Sequence, residues 1–398
     1  MSNKTLEGVT VIDLTRVLAG PYCSMFLADM GANVIKIEVP GKGDDTRCYV
    51  PSFEGESAYF INLNRNKRSL TLNLKTEKGK QILKDLVKKA DILVENYRPG
   101  TMKKLGLDYD VLKEINPKLV YGAISGFGQY GPYSQRAGYD IIAQAMGGLM
   151  STTGWPTTGP TRCGTAIGDV LAGLSLTIGV EAAYINAQRT GKGQLVDVAL
   201  VDSVVSSLEI INQIYLATGR IPQRIGNRYE AMYPYDSFKC KDGDIVLGSG
   251  NDKLYGILCN TVMKRPELAE DPRFLHIGDR IEHHADLKPI IEDFLKDYTM
   301  DDAVQMMLDA GLPAGPINTI DRVVVDPHIA GAREMFVTVP HPTAGDMKIA
   351  GNQIKLSETP VQFERPAPLL GQHTAEILKE QLGYDEATVE ALKAEGVL

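Results

Sequence analysis

A repeated alternation over the first half of this chain constrains its fold more than any other feature. Residues 8–14 (GVTVIDL) read as a buried strand, residues 19–30 (AGPYCSMFLADM) carry apolar positions at helical spacing, and Gly31 stops that helix. Residues 33–38 (NVIKIE) then give a second strand. Strand, helix, strand at this spacing is a βαβ unit. The pattern recurs, with strand-like 69–74, helical 77–89 and strand-like 90–95, then a short helix over 109–116 and a strand over 119–124. Such a chain hides its apolar runs in an α/β fold, a mostly parallel sheet covered by helices. Sheets of that kind bind ligands beyond the carboxyl ends of their strands.

Further along, 139–150 and 170–187 read as Gly/Ala-rich helices, 194–200 as a strand and 204–217 as a helix. The proline- and arginine-rich stretch 220–235 (RIPQRIGNRYEAMYPY) breaks the rhythm and reads as a linker. Residues 236–320 look like a smaller α+β unit with two hairpin-like strands, 336–353 are strand-rich, and 370–398 form a charged amphipathic helical tail. No internal repeat or low-complexity segment is evident.

Composition excludes several classes of function. Lysine and arginine number 42 against 50 acidic residues, a formal net charge of −8 in 398 residues. That argues against nucleic acid as the partner, while leaving room for a local basic site. The five cysteines (Cys23, Cys48, Cys163, Cys240, Cys259) form no CxxC pair, so neither a disulfide framework nor a zinc ribbon is indicated. No unbroken apolar run reaches about 18 residues, so no membrane span is expected. The start, MSNKTLEGVTVIDL, shows no signal-peptide pattern, and a reduced cytoplasm is the expected setting.

Four local motifs have both a plain and a chemical reading. Gly126 to Gly131 spell GxGxxG after a strand, but Pro132 and polar residues follow. No helix N-terminus is offered to a pyrophosphate, and the motif reads as a glycine-rich turn. Gly168-Asp169 precedes a helical stretch, where Asp169 is either an N-cap or an ionised nucleophile held at a helix start. Asn96-Tyr97-Arg98-Pro99-Gly100 ends a strand, as a polar turn or as an anion site with a stacking ring, with Lys103 and Lys104 beyond it. Gly248-Ser249-Gly250-Asn251 ends another strand, as a plain loop or as a lid whose N–H groups meet an oxyanion. There is no GxxxxGK[ST] and no HExxH, and His283-His284 point apart on a helix, so no ATP and no metal site is expected.

Taken in order, these stretches resemble the class III CoA-transferase (CaiB/BaiF) family, which includes formyl-CoA:oxalate and carnitine CoA-transferases. The resemblance runs through LEGVTVIDLTRVLAGPYCSMFLADMGANVIKIE, NRNKRSLTLNLK, VENYRPGTMKKLGL, SGFGQYGPY, GYDIIAQAMGG, GTAIGDVLAG, TGKGQLVDVALVDSV and PLLGQHTAEIL. It implies an interlaced homodimer. Each chain would have a Rossmann-like parallel-sheet large domain built from both termini and a smaller α+β middle domain. The expected layout is 1–219 in the large domain, 220–235 as linker, 236–325 as the small domain and 326–398 returning to the large one.

The resemblance implies that Asp169 attacks an acyl-CoA carbonyl, with Gly248, Ser249 and Gly250 covering the oxyanion and Tyr139-Asp140 beside the nucleophile. The CoA-holding positions carry over as Val17, Leu18, Leu72, Asn73, Lys75, Asn96, Tyr97, Arg98 and Lys104. An arginine and a lysine of the formyl-CoA enzymes are Val39 and Ala137 here, with Arg136 placed to substitute for the lysine. Acyl-CoA and carboxylic acids are then the substrates, with no permanently bound cofactor, and a small dicarboxylate such as oxalate or succinate is the acceptor by analogy. Two alternatives stay open. A 2-methylacyl-CoA racemase would need a histidine where this chain has Tyr139, and a neutral phenol is a poor base near pH 7. A non-catalytic acyl-CoA binding protein would not require Asp169, Tyr139 and the glycine loop together.

Overall fold

The computed structural model describes residues 4–398, so the first three residues of the N-terminal stretch lie outside it. The chain divides into two compact units, one taking residues up to Leu149, Arg162–Gly219 and Pro327–Leu398, the other Met150–Thr161 and Arg220–Asp326.

The large unit is organised by a six-stranded, all-parallel sheet. Its strands are β1 (Thr10–Asp13), β2 (Asn33–Glu38), β3 (Arg68–Thr71), β4 (Ile92–Glu95), β5 (Val120–Ser125) and β6 (Leu195–Ala199). Their spatial order is β3-β2-β1-β4-β5-β6, the Rossmann order, which reverses direction between β1 and β4. Side chains alternate across each strand. Val11, Val34, Val94 and Val120 therefore face one helical layer, built on α1 (Ala19–Asp29) and a long helix over Ile167–Thr190. Ile12, Ile35, Leu93 and Tyr121 face the other, which includes Leu83 and Leu86 of the helix Glu77–Val87. Two C-terminal helices, Thr374–Leu382 and Glu386–Ala394, close that second layer through Ile377, Leu378, Val389 and Leu392. Both faces are covered, so the strands read as nearly unbroken apolar runs.

Three details depart from the sequence reading. The helix expected over 204–217 is two, Leu200–Ser207 and Glu209–Thr218, bent by 74° where Glu209 adopts φ +33. An unanticipated helix, Ala58–Asn64, is capped by the Ser57 hydroxyl accepting from Phe60 N–H. The helix Ile167–Thr190 is by length and composition apolar enough to cross a membrane, against the expectation that no such segment exists. It packs on α1 and β5, with Ala172, Leu176 and Val180 fully buried.

The GxGxxG stretch opens no helix, as expected: residues 126–139 are turns and irregular backbone up to a helix at Asp140–Met146. Its first glycine is needed for contact, because a Cβ on Gly126 would lie 2.5 Å from Gly138 Cα.

The small unit carries a three-stranded antiparallel sheet, Tyr235–Lys239 pairing Asp244–Gly248, which pairs Ala314–Pro316. The helices His284–Leu295 and Met300–Asp309 bury Ile291, Leu295, Ala303 and Met307 with Phe238, Ile245 and Leu247.

Candidate active site

The carboxyl ends of β1, β4 and β5 open onto a cavity of about 250 Å³ in the large unit, where the strand order reverses. The turns after these strands, the segment Arg136 to Asp140 and the first turn of the long helix Ile167–Thr190 line it. Val17, Leu18, Asn96, Tyr97, Arg98, Arg136, Tyr139, Asp140 and Asp169 are thus brought together around one space.

The turn after β1 is fixed from below by charge. Asp13, fully buried, accepts from Thr15 N–H (2.8 Å) and the Ser24 hydroxyl (2.6 Å) and pairs with Lys67 (3.1 Å). Burial pushes its carboxyl up, but Lys67 and Lys36, together with the Ser24 and Thr15 hydroxyls, outweigh this and hold it down at about 2. For Lys67 burial is the larger influence, and its ammonium falls to about 8 despite Asp13. Lys36 donates to Thr15 O (2.8 Å) and pairs with Asp44 (2.9 Å), and Asp44 Oδ1 accepts from Val17 N–H (3.2 Å). From the side, Asn96 accepts from Arg16 N–H (2.9 Å) and donates to Arg16 O (2.7 Å). Val17 is thereby held at φ +68, a conformation β-branched residues rarely adopt.

Asp169 is not the N-cap of its helix. Ala166 holds that position and Asp169 is the third helical residue. The stabilising role falls to Asp140, whose Oδ1 accepts from Gly168 N–H (2.8 Å) and whose Oδ2 accepts from Gln144 Nε2 (2.7 Å). Gln144 in turn accepts from Cys163 N–H (2.8 Å). The Asp169 carboxylate accepts no hydrogen bond among the described residues. Burial, and then the neighbouring Asp140 carboxylate, push it up to about 7. A helix N-terminus favours an ionised carboxylate, but here these two influences win.

Tyr59 is the residue that sequence reasoning missed. Burial, and next the Asp169 carboxylate, raise its phenol to about 12, which places it in the field of the Asp169–Asp140 pair. Nothing in the stretch AYFINLN distinguishes it from a core tyrosine. Glu95, at the end of β4, is buried and raised to about 8, mainly by that burial, while it accepts from Tyr97 N–H (2.6 Å). The guanidinium of Arg98 donates to Gln135 O, and that of Arg136 stacks 3.7 Å over the Tyr133 ring.

The remaining positions expected to hold CoA do not line this cavity. Leu72 packs in the core, Asn73 bonds the C-terminal residues Gly396 and Val397, and Lys75 and Lys104 are exposed. In the small unit, Gly248 N–H donates to Pro313 O (2.9 Å) and Ser249 N–H to Pro234 O (2.8 Å), which leaves only Gly250 N–H of these three without an acceptor among the described residues. Gly248 also borders a cavity of about 390 Å³ lined by Tyr235, Val246 and Ala314.

A family model described as CoA-transferase family III matches residues 6–374. The chain is 40% identical over 396 residues to the succinyl-CoA:glutarate CoA-transferase of Homo sapiens, covering 99% of this chain and 90% of that one. It is 42% identical to the acetyl-CoA:oxalate CoA-transferase of Acetobacter aceti, covering 94% and 95%. Its fold is similar to the crystal structure of a CaiB/BaiF family protein from Brucella suis, with a TM-score of 0.84 at 40% identity over 95% of this chain and 100% of that one.

Proposed function

Because this chain belongs to CoA-transferase family III and is a CoA-transferase, we propose that it moves CoA from an acyl-CoA to a small dicarboxylic acid through acyl intermediates on Asp169. One observation carries the mechanism. The cavity at the sheet's switch point holds a carboxylate without hydrogen bonds, next to a second carboxylate whose oxygens are both engaged. Ionised Asp169 attacks the thioester carbonyl, the C–S bond breaks and CoA thiolate leaves a mixed anhydride. The thiolate then attacks the Asp169 acyl carbon, releasing the donor acid and leaving an aspartyl-CoA thioester. The incoming carboxylate displaces CoA to form a second anhydride, and the thiolate takes the new acyl group and frees Asp169. One thioester is made for each consumed, so the cycle needs no outside energy source.

Asn96 and Arg98, with Arg16 and Arg136 nearby, supply polar and cationic groups for the phosphates of CoA and the acids. The names of the relatives, which pair succinyl-CoA with glutarate and acetyl-CoA with oxalate, support a dicarboxylate as acceptor. The cover proposed for the acyl intermediate is loop 248–250, which matches the family's glycine loop by position and whose Gly250 N–H is free among the described residues. The working unit is an interlaced homodimer. Support comes from the apolar side chains that the large unit leaves outward, Ile178 (69% exposed), Ile185 (67%) and Leu216 (71%).

The decisive variant is Asp169→Asn. Transfer from succinyl-CoA to glutarate or oxalate is expected to fall by about a thousandfold or more, as for other lost nucleophiles. Mass spectrometry of hydroxylamine-quenched wild type should find the hydroxamate on Asp169. Near-normal turnover of the variant would overturn the reading.

A further inference from the structure

The glycine loop of the small unit is held by a residue that the sequence reading does not single out. Arg280, on the short helix Ile277–Glu282, is completely buried. Its Nε donates to Tyr233 O (2.8 Å), and Nη1 to Phe274 O (2.9 Å) and Leu275 O (3.2 Å). Nη2 donates to Gly250 O (2.7 Å) and Asp252 Oδ1 (2.7 Å). The guanidinium carbon lies 4.5 Å from the centre of the Tyr255 ring. A guanidinium has five N–H donors, and here all five are used.

The acceptors are chosen around one place. Tyr233 precedes Pro234, whose carbonyl takes the Ser249 N–H, while Gly250 and Asp252 flank the other end of the loop. The fork therefore grips both sides of residue 249. Four of its five acceptors are neutral carbonyls, and the only carboxylate, Asp252, is half-exposed. Burying a charge on such partners is costly compared with plain apolar packing, which the surrounding core of Tyr255, Leu258 and Phe274 would supply. The Ser249 hydroxyl is buried without a partner, and a Cβ on Gly250 would lie 2.8 Å from the Met232 side chain.

We infer that Arg280 is the positioning residue of loop 248–250, fixing that backbone so that acyl-Asp169 passes to CoA or acid rather than to water. The inference rests on the reading of this loop given above. A misplaced loop admits water to the anhydride. Water then adds at the donor acyl carbon and its C–O bond to Asp169 breaks. The donor acid and the Asp169 carboxylate are freed, with two protons passing to solvent, and the CoA thiolate is left without a partner. Lysine cannot replace the fork, having three donors on a single nitrogen.

The test compares full-length wild type with Arg280→Lys, measuring transfer from succinyl-CoA to glutarate and hydrolysis of succinyl-CoA in one reaction. Once hydrolysis without enzyme is subtracted, the hydrolysis-to-transfer ratio does not depend on the fraction of folded enzyme, so a merely structural defect leaves it unmoved. The ratio is expected to rise about tenfold, less than the loss of a whole oxyanion donor, with KM for succinyl-CoA within about twofold. An unchanged ratio overturns the inference. Should Arg280→Lys fail to fold, Asp252→Ala removes one acceptor at a half-exposed site, and its ratio is expected to rise about threefold, with no rise counting against the inference. Hydroxylamine quenching of wild type separates the two levels. Without an Asp169 hydroxamate the covalent reading fails, whereas a hydroxamate with an unmoved ratio removes only Arg280's role.

Discussion

Asp13 and Asp169 stand on the loop side of the same sheet and are treated in opposite ways. Asp13 is the more deeply buried, yet Lys67, Lys36 and two hydroxyl-bearing neighbours outweigh that burial and hold it at about 2. Asp169 is only partly covered, yet that burial, met by no donor and joined by the Asp140 charge, raises it to about 7. Burial alone would have ranked them the other way, so partners decide. Under the proposed mechanism, donors go to the carboxylate that stays in place and are withheld from the one that reacts. A nucleophile saturated with hydrogen bonds would have to break them to attack, while a raised carboxyl is poised near working pH.

The largest effect is expected where the supported carboxylate loses its main partner. Lys67→Met leaves Asp13 buried beside Lys36 alone and abandons the carbonyl of Pro21 and the amide oxygen of Asn64. Breaking a buried pair in this way costs about 3–5 kcal/mol, read as a lower urea midpoint at unchanged slope. A loss below about 1 kcal/mol would mean that the network does not hold the turn.

Next in size is the pH response of the unsupported carboxylate. In the proposed mechanism Asp169 must be ionised to attack, and its carboxyl lies at about 7, so the single-turnover acylation rate is expected to fall as pH drops below that value. Asp140→Asn removes the like charge, and the acid limb then moves to lower pH. It does not return to the ordinary carboxylate range, because burial, the larger cause, remains. A limb that stays in place would show that Asp140 does not act on Asp169 electrostatically.

The supported half of this comparison was far more legible in the sequence. Strands such as NVIKIE are buried on both faces, so their apolar runs announce a parallel sheet, and the sheet order then locates the cavity. Asp13 and Lys67 lie in the motifs VTVIDL and NRNKRS, but nothing local says that they meet. Asp140 reaches Gly168 across 28 residues without any periodic signal, and only a family resemblance set Asp140 beside Asp169 in advance. Tyr59 sits in a stretch that reads as core, and the break at Glu209 is a left-handed backbone turn at a residue type that gives no warning of it. Nothing in the stretch IGDRIE marks Arg280, because four of its acceptors are backbone carbonyls that a sequence does not display.

The smallest effect concerns Val17, where the two halves meet. Asp44 holds its N–H and Asn96 clamps the preceding residue, so a β-branched side chain sits at φ +68 above the Asp13–Lys67 network and beside the Asp169 cavity. Such a conformation costs about 1–3 kcal/mol and persists only when its surroundings impose it. Glycine adopts it freely but also loosens the unfolded chain, so Val17→Gly is expected to raise stability by only about 1 kcal/mol in urea unfolding. Acyl-CoA binding should weaken about twofold to fivefold as the turn loses definition, the trade expected where strain serves a site. Lost stability would mean that packing of the Val17 side chain outweighs the strain. The comparison is sharpest in the double variant with Lys67→Met. If the charge network imposes the strain, the gain from Val17→Gly shrinks by about 0.5 kcal/mol or more once Lys67 is gone, whereas simple additivity would show that the turn and the network are independent.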